Sequence, residues 1–492
     1  MKLRWRIAIG FLGVFLLLAL ALFIFNKSSQ SELEKYKAEL RAQGEKLTFA
    51  ELLPPYDGSY DRLQVFMEAA RRLNHPTFTP GVIDWIHSKT GGVAQVISLQ
   101  TNIPTLVGVS GNPSANFVAW ETAVQALDAH AADLAAIRSF LQNPPSRLNV
   151  SYDDPLAPSA NCFVEKRWAA QWLSGSVLLR LHSNKMEKAI EDLRLIFALA
   201  EVHSEDPTIV NQMVRVAIVG LGCPVAWELL AHETVPAEPE LKSLQDAISK
   251  IDLLDAIEKG MVGERNLALR AFEFSRKESD NFSKTVFAFT QFELINGAFP
   301  SPTAPTAGDR LVGYAWRNIV ADGDELFYLR FMQQHLETVR SFRAEQNFSE
   351  TDLLLARNQS EVQRVLKSSR RVRYPLSALA IQSLIRAHQT CARNETFRRM
   401  TVTAIALKRH ELRHGKFPPD LTTLVPDFIA SVPIDCMDGK PLKYRLNPDG
   451  TFLLYSVGED GKDDGGDPTS QNNVDQHSLW TGRDAVWPTP AR

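Results

Sequence analysis

The sequence predicts a mainly α-helical protein with an N-terminal transmembrane helix, a multi-helix exported body and a small C-terminal α+β module carrying an antiparallel hairpin. Three observations predict it. Residues 7–25 form an uncharged, almost wholly apolar run. Apolar residues then recur at spacings of three and four through most of the chain between Asp61 and Arg413, the stripe of helices packed on neighbours. After His414 the texture changes to Gly, Pro and Asp around short apolar runs. A chain of 492 residues exceeds the ~150 residues of a common domain, so several units are expected. With 45% apolar and 23% charged residues it can bury a core, which excludes global disorder. Lys+Arg 54 against Asp+Glu 57 gives a net charge of −3, so no basic footprint for nucleic acid exists. The four cysteines include no CxxC pair, which excludes a dense disulfide framework and a zinc ribbon.

The first element is the anchor. At ~1.5 Å per residue, a helix over residues 7–25 crosses the ~30 Å hydrocarbon layer. Lys2, Arg4 and Arg6 precede it, so the short N-terminus is expected in the cytoplasm and the rest is exported. A cleaved signal peptide is the competing reading, because Ala19-Leu20-Ala21 has the small-x-small form. Cleavage there would leave Leu22-Phe23-Ile24-Phe25 as an apolar stub, which favours the uncleaved anchor. The segment 216–227 is apolar for twelve residues, too few to cross, and reads as a buried core helix.

Residues 28–55 read as a polar juxtamembrane stalk, helical over Ser28–Leu47 and then punctuated by Leu53-Pro54-Pro55. The body, 56–395, is expected to contain helices over 120–141, 161–181, 185–203, 207–232 and 241–260, then 323–343, 351–370 and from Pro375 onward. Short loops between them favour antiparallel neighbours. Paired helices invite a solenoid reading, but no period of 34 or 40 residues is sustained. Pro300, Pro302 and Pro305 mark a long loop at 299–308. In the module, 396–492, Gly415 and Pro418-Pro419 stop a helix, and a short helix is expected over 420–424. Two strand-like runs, 442–446 and 451–456, flank Asn447-Pro448-Asp449-Gly450, a strong hairpin signal.

The order of pieces in this module carries a resemblance. A helix over 397–414 leads to His414-Gly415-Lys416-Phe417-Pro418, then Leu421–Pro426 with its Leu-Xaa-Xaa-Leu-Val-Pro turn. Val432-Pro433-Ile434-Asp435, Gly439–Tyr444 and Leu454–Gly461 follow. The module resembles the globular end of the major pseudopilin of type II secretion systems, across under a fifth of the chain. The resemblance implies that the Gly/Asp-rich loop after the hairpin binds Ca²⁺. Independently, Glu459, Asp460, Asp463, Asp464 and Asp467 crowd nine residues with only Lys462 opposing them. Carboxylates so close are either solvated or bridged by a hard cation, which takes six to eight oxygens. Gly458, Gly461, Gly465 and Gly466 let the backbone turn there. The family's loop closes with an Asp before an apolar-Trp strand, which Asp484-Ala485-Val486-Trp487 matches, with Asp475 the second choice. The implied calcium ligands are therefore Asp460, Asp463, Asp464, Asp467 and Asp484, although this chain has extra residues before the closing Asp. An EF-hand is excluded, since counting from Asp460 puts Lys462 at position 3 and Gln471 at position 12.

The chain departs from pseudopilins in its anchor. Gly10-Phe11 lies inside the apolar run and Phe15 stands where a prepilin has Glu, with the module far downstream. Helical assembly into a pilus is not expected. The whole layout, with Leu40–Thr48 (LRAQGEKLT) after the anchor and Gly263-Glu264-Arg265 in the body, resembles a group of uncharacterised bacterial membrane-anchored proteins.

His410-Glu411-Leu412-Arg413-His414 is a literal HExxH, the helical zinc motif of metalloproteases. Against that reading, Lys408, Arg409 and Arg413 surround it with positive charge, and the helix ends at once. No downstream ligand has a recognised spacing, and basic residues at a helix end complement the dipole. Glu264 and Arg265 read as a buried pair, Trp168 and Trp172 as core. Cys391 and Cys436 flank the module boundary, where an oxidising compartment would let them bridge. No GxSxG, P-loop or dinucleotide turn is present. The expected protein is a non-enzymatic component of the cell envelope in the bacterial inner membrane, crossing it once and binding a protein partner through its helical body. The alternatives are an accessory part of a secretion or pilus-like system and, third, a zinc metalloprotease.

Overall fold

The computed structural model describes residues 27–55, 60–73, 85–87, 94–96, 105–107, 117–147, 152, 162–291, 304–381, 385–469, 479–487 and 489–490. The expected membrane span at 7–25 and Asp475 lie outside them, as does the first part of the Pro-rich loop at 299–308. The chain is mainly helical with a small antiparallel sheet near its C-terminus.

Helix α1 covers 27–42 and is followed by the single turn α2 (Phe49–Leu52), opened by a capping box between Thr48 and Glu51. α1 lies against the body. Leu33 and Leu40, with Leu47 beyond the helix end, are buried against Leu269, Leu326 and Leu329, and Tyr36 packs beside them. The polar stalk expected from the charges thus has one apolar seam, and it is docked.

After α3 (Tyr60–Arg72) the chain departs from the helical expectation. Three-residue strands β1 (Trp85–His87), β2 (Ala94–Val96), β3 (Thr105–Val107) and β4 (Phe117–Ala119) form two antiparallel pairs. Val, Ile and Thr between Gly, Pro and Asn favour extended backbone here. The helix expected over 120–141 is two, α4 (Trp120–Ala129) and α5 (Ala131–Leu141). His130 interrupts them, held by Asp133 at 3.1 Å and edge-on to the Trp172 ring at 5.0 Å.

The centre of the body is α8 (Ile209–Ala231), packed among α6 (Phe163–His182), α7 (Met186–Glu201), α10 (Leu253–Lys277) and α16 (Ile385–His414). α8 is long and apolar enough to cross a membrane, yet 61% of its most apolar window is buried in protein. This agrees with the core reading of 216–227. Close approach fixes its glycines: a Cβ on Gly222 would stand 2.8 Å from the Phe197 ring, and one on Gly220 would stand 2.1 Å from Asn394 Oδ1.

The helix expected over 241–260 is also two, α9 (Glu238–Ser249) and α10. The junction is stabilised from α16. Arg398 donates to the Ile248 carbonyl at the end of α9 (3.1 Å), and Glu395 accepts the Leu253 amide at the start of α10 (3.4 Å). Each charge faces the helix end whose dipole it complements. Asp252 completes the start of α10 by accepting from the Asp255 amide at 2.9 Å. Periodicity does not register such a corner, because the apolar stripe continues across it.

Helices α11 (Ser279–Gln291), α12 (Ala307–Ile319), α13 (Ala321–Glu345), α14 (Phe348–Leu366) and α15 (Pro375–Ala380) complete the body. Buried Asp324 ties three of them together. It accepts from Trp316 Nε1 (2.9 Å) and from the amides of Leu376 (3.0 Å) and Ser377 (3.1 Å), which open α15. The short helix over 420–424 is a 3-10 turn at Leu421–Leu424 capped by Asp420. The hairpin is β5 (Lys443–Leu446) with β6 (Phe452–Ser456), in register Lys443↔Tyr455, and β7 (Ala485–Val486) pairs antiparallel on β6. A last strand, β8 (Thr489–Pro490), pairs parallel with β2.

Residue 396, where the sequence reading begins the module, lies inside the continuous helix α16. One buried cluster contains Phe397, Leu424, Leu454 and Trp487 from the module side together with Leu193, Val219 and Leu336 from the body. The Phe348 amide donates to Cys436 O (2.8 Å) and the Gln245 side-chain Nε2 to Phe428 O (2.7 Å), so hydrogen bonds to backbone carbonyls cross between the two.

Candidate functional site

The acidic loop follows β6. All four of its glycines have φ between +68° and +83°, as the turn reading requires. At Gly458 a Cβ would also meet the Arg483 carbonyl at 2.7 Å. Asp484 is fully buried beneath the loop and accepts the amides of Gly466 (2.7 Å), Asp467 (3.0 Å) and Asp464 (3.4 Å). Burial raises its pKa despite these bonds. Asp463 accepts the Tyr455 hydroxyl (3.0 Å) and Asp460 the Lys462 amide (3.1 Å). The cations near Asp463, Asp464 and Asp467 are 3.8–4.0 Å away. Of the five predicted ligands, the loop brings Asp464 and Asp467 onto Asp484 through their backbone amides. Among the described residues no three His, Cys, Asp or Glu side chains form a group placed to hold a metal.

The HExxH segment closes α16. Expected at an exposed turn, it is instead half inside: His410 is buried and His414 exposed. The two rings lie 4.4 Å apart, tilted by 37°, with the Phe428 ring 5.4 Å from His410. His410 Nδ1 bonds the Lys416 carbonyl at 3.0 Å, Glu411 pairs with Lys408 at 2.6 Å, and Arg409 and Arg413 share Glu238. These contacts close the helix end onto the loop after it.

The two motifs of the body meet. Arg265, fully buried, donates to Glu45 Oε2 (2.9 Å), Gln333 Oε1 (2.8 Å) and the Lys46 carbonyl (2.9 Å). Arg340 also holds Glu45 and bonds Glu258 at 2.8 Å. Burial opposes charge on Glu45, but the Arg340 and Gln333 hydrogen bonds and the Arg265 charge prevail, pulling its pKa down to about 2. The partner of Arg265 is therefore Glu45, not the adjacent Glu264, a correction to the expected pair. Glu264 makes no ion pair among the described residues, and burial raises its pKa to about 7. Gly263 needs its missing side chain, since a Cβ would stand 1.7 Å from the Pro207 carbonyl oxygen.

Beside this network is an open cleft of ≈ 570 Å³ between α1, α2, α10 and the residues Arg147 and Tyr152. Leu47, Leu53 and Leu269 line it, and Phe49 stacks on Tyr152 with ring centres 4.2 Å apart. Five basic residues (Lys37, Arg41, Arg147, Arg270, Arg276) line it against two acids, Glu273 and Glu325. The acids are taken: Glu325 binds Lys37 (2.6 Å) and Arg276, and Glu273 binds Arg270 (2.6 Å). The Arg41 side chain makes no hydrogen bond or ion pair among the described residues, and Arg147 donates through Nη1 to the Pro54 carbonyl while its buried Nε has no acceptor. Sequence reasoning missed this cleft. The available signal was Leu33, Leu40 and Leu47 at intervals of seven, which marks α1 as a docked helix.

Elsewhere, all four cysteines are buried and free, so the bridge between Cys391 and Cys436 is not made. Cys391 instead donates to the Leu253 carbonyl at 2.9 Å, and burial raises the Cys436 thiol to about 12. His335 and His388, both buried, face each other Nε2 to Nε2 at 2.9 Å. No family model, no curated protein and no solved structure matches this chain.

Proposed function

We propose that the chain is a membrane-anchored binding protein of the cell envelope, with its body exported and its acidic loop holding a structural Ca²⁺. One observation carries the reading: α1, which follows the apolar run 7–25, is docked on the body and forms a wall of the open, cation-rich cleft. A helix docked this way would hold the body close to an anchor that precedes it. For calcium, the support is an oxygen-only set of acids whose cationic neighbours stand at 3.8–4.0 Å, too far to saturate their lone pairs. Asp460, Asp463, Asp464 and Asp467, with Asp484 below, would hold the ion, and its charge would relieve their mutual repulsion.

The buried native cysteines make topology directly testable. Val372 is 81% exposed, so Val372→Cys adds a single accessible thiol. A membrane-impermeant maleimide is expected to label this variant in intact spheroplasts and to leave the native chain unlabelled. Labelling only after lysis would place the body in the cytoplasm and refute an envelope function.

A further inference from the structure

We infer that the cleft between α1, α2 and α10 binds one anionic amphiphile, a carboxylate- or phosphate-headed molecule with an acyl-type apolar part. The head is drawn by Arg41 and Arg147, and the apolar part lies against Leu47, Leu53 and Leu269. The inference rests on reading the helical body as a binding surface and names the class of ligand.

The charge balance of the cleft selects the head. Each of its two acids already neutralises a basic neighbour, which leaves the Arg41 side chain and the buried Nε of Arg147, whose Nη1 donates to the Pro54 carbonyl, without an acceptor among the described residues. A guanidinium suits a carboxylate or phosphate, because its planar fork matches two oxygens at once. Glu51, which feels the Arg41 charge, is occupied in the α2 capping box, accepting the amides of Leu47 (2.8 Å) and Thr48 (3.0 Å). The cleft thus attracts an anion more strongly than its own side chains can satisfy it.

The lining selects the tail. A bare inorganic anion has no use for the three leucines and the stacked Phe49–Tyr152 pair, whereas apolar area against them stabilises a chain. The volume of ≈ 570 Å³ is of the size that encloses a small organic ligand rather than a single ion. Position adds a third argument. Lys37 and Arg41 follow the apolar run 7–25 closely in sequence, and the anchor proposed there brings a membrane surface as a source of amphiphiles.

The test is calorimetric titration of the full chain in phosphatidylcholine nanodiscs, with heats from empty discs subtracted. Three probes separate the contributions: decyl phosphate carries head and tail, inorganic phosphate the head alone, and decanol the tail alone. Saturable one-to-one binding of decyl phosphate, at least tenfold tighter than either other probe, is expected. Arg41→Gln, at an exposed and unpaired position, should weaken it about tenfold without moving the melting temperature. Leu53→Ser, which removes apolar area without adding charge, should weaken decyl phosphate and leave inorganic phosphate unchanged. Heats matching empty discs would overturn the inference, as would equal affinity for inorganic phosphate, or indifference to both variants while they melt normally. The titration reads binding whichever side of the membrane the body occupies, so its failure and the failure of the topology reading are told apart.

Discussion

Glu264 and Arg265 are neighbours in the chain with opposite fates. Arg265 is matched by Glu45, while Glu264 is set against Tyr328 with no counter-ion among the described residues, and burial raises its pKa to about 7 from an ordinary 4.5. The folded state therefore holds this proton more tightly than the unfolded one, so the associated stability is full below pH ~4.5 and is lost as pH rises through about 7. Glu264→Gln should remove that loss, making the variant about 1–3 kcal/mol more stable than the native chain at pH 8 and little changed at pH 4.5. Urea unfolding at the two pH values checks it; an equal offset at both would show that Glu264 is not buried as an acid. The opposite limb belongs to His335 and His388, whose pKa values burial lowers, His335 to about 4. Their contribution is present above pH 6.5 and lost as pH falls. The sequence marks Gly263-Glu264-Arg265 as unusual but cannot say which acid Arg265 takes, because Glu45 is 220 residues away.

Helix α1 is held by one leucine seam and one buried charge cluster. Removing a single partner from a buried ion network leaves the others uncompensated, which costs ~3–5 kcal/mol. Glu45→Gln should therefore release α1 from the body. In hydrogen exchange the amides of residues 27–47 should exchange faster by two orders of magnitude or more, while those of α16 stay protected. Unchanged protection at 27–47 would mean that Leu33, Leu40 and Leu47 suffice. Helix content was legible from apolar periodicity, and α6, α7, α8, α13 and α14 fall within a few residues of expectation. The corners at His130 and at Ile251–Asp252 were not, since each is fixed by side chains from distant elements, Trp172 in one case and Glu395 and Arg398 in the other. The docking of α1 was masked by its charges, although Lys37 and Glu32 themselves reach α13, pairing with Glu325 and Arg330.

Across the whole molecule, the C-terminal module and the body are built on one helix and one core. The hairpin, its turn and the glycines of the acidic loop were legible because each needs a particular local backbone. The continuity of α16 was hidden, as a change of texture in sequence need not be a break in packing. Asp484 carries the closing residue of the loop, bound to three loop amides and buried under acids that a bound cation would bring together. On the proposed reading these parts form a single cooperative unit that Ca²⁺ would stabilise from its C-terminal end. A ligand present at about a hundred times its dissociation constant adds ~2.7 kcal/mol to the folded state. The most direct measurement is differential scanning calorimetry of the full chain in detergent, first in EDTA and then with Ca²⁺ or Mg²⁺ restored. The account predicts one transition, raised by several degrees with Ca²⁺ but not Mg²⁺, and no such rise in Asp463→Ala. Two separate transitions, or a single one indifferent to Ca²⁺, would contradict it.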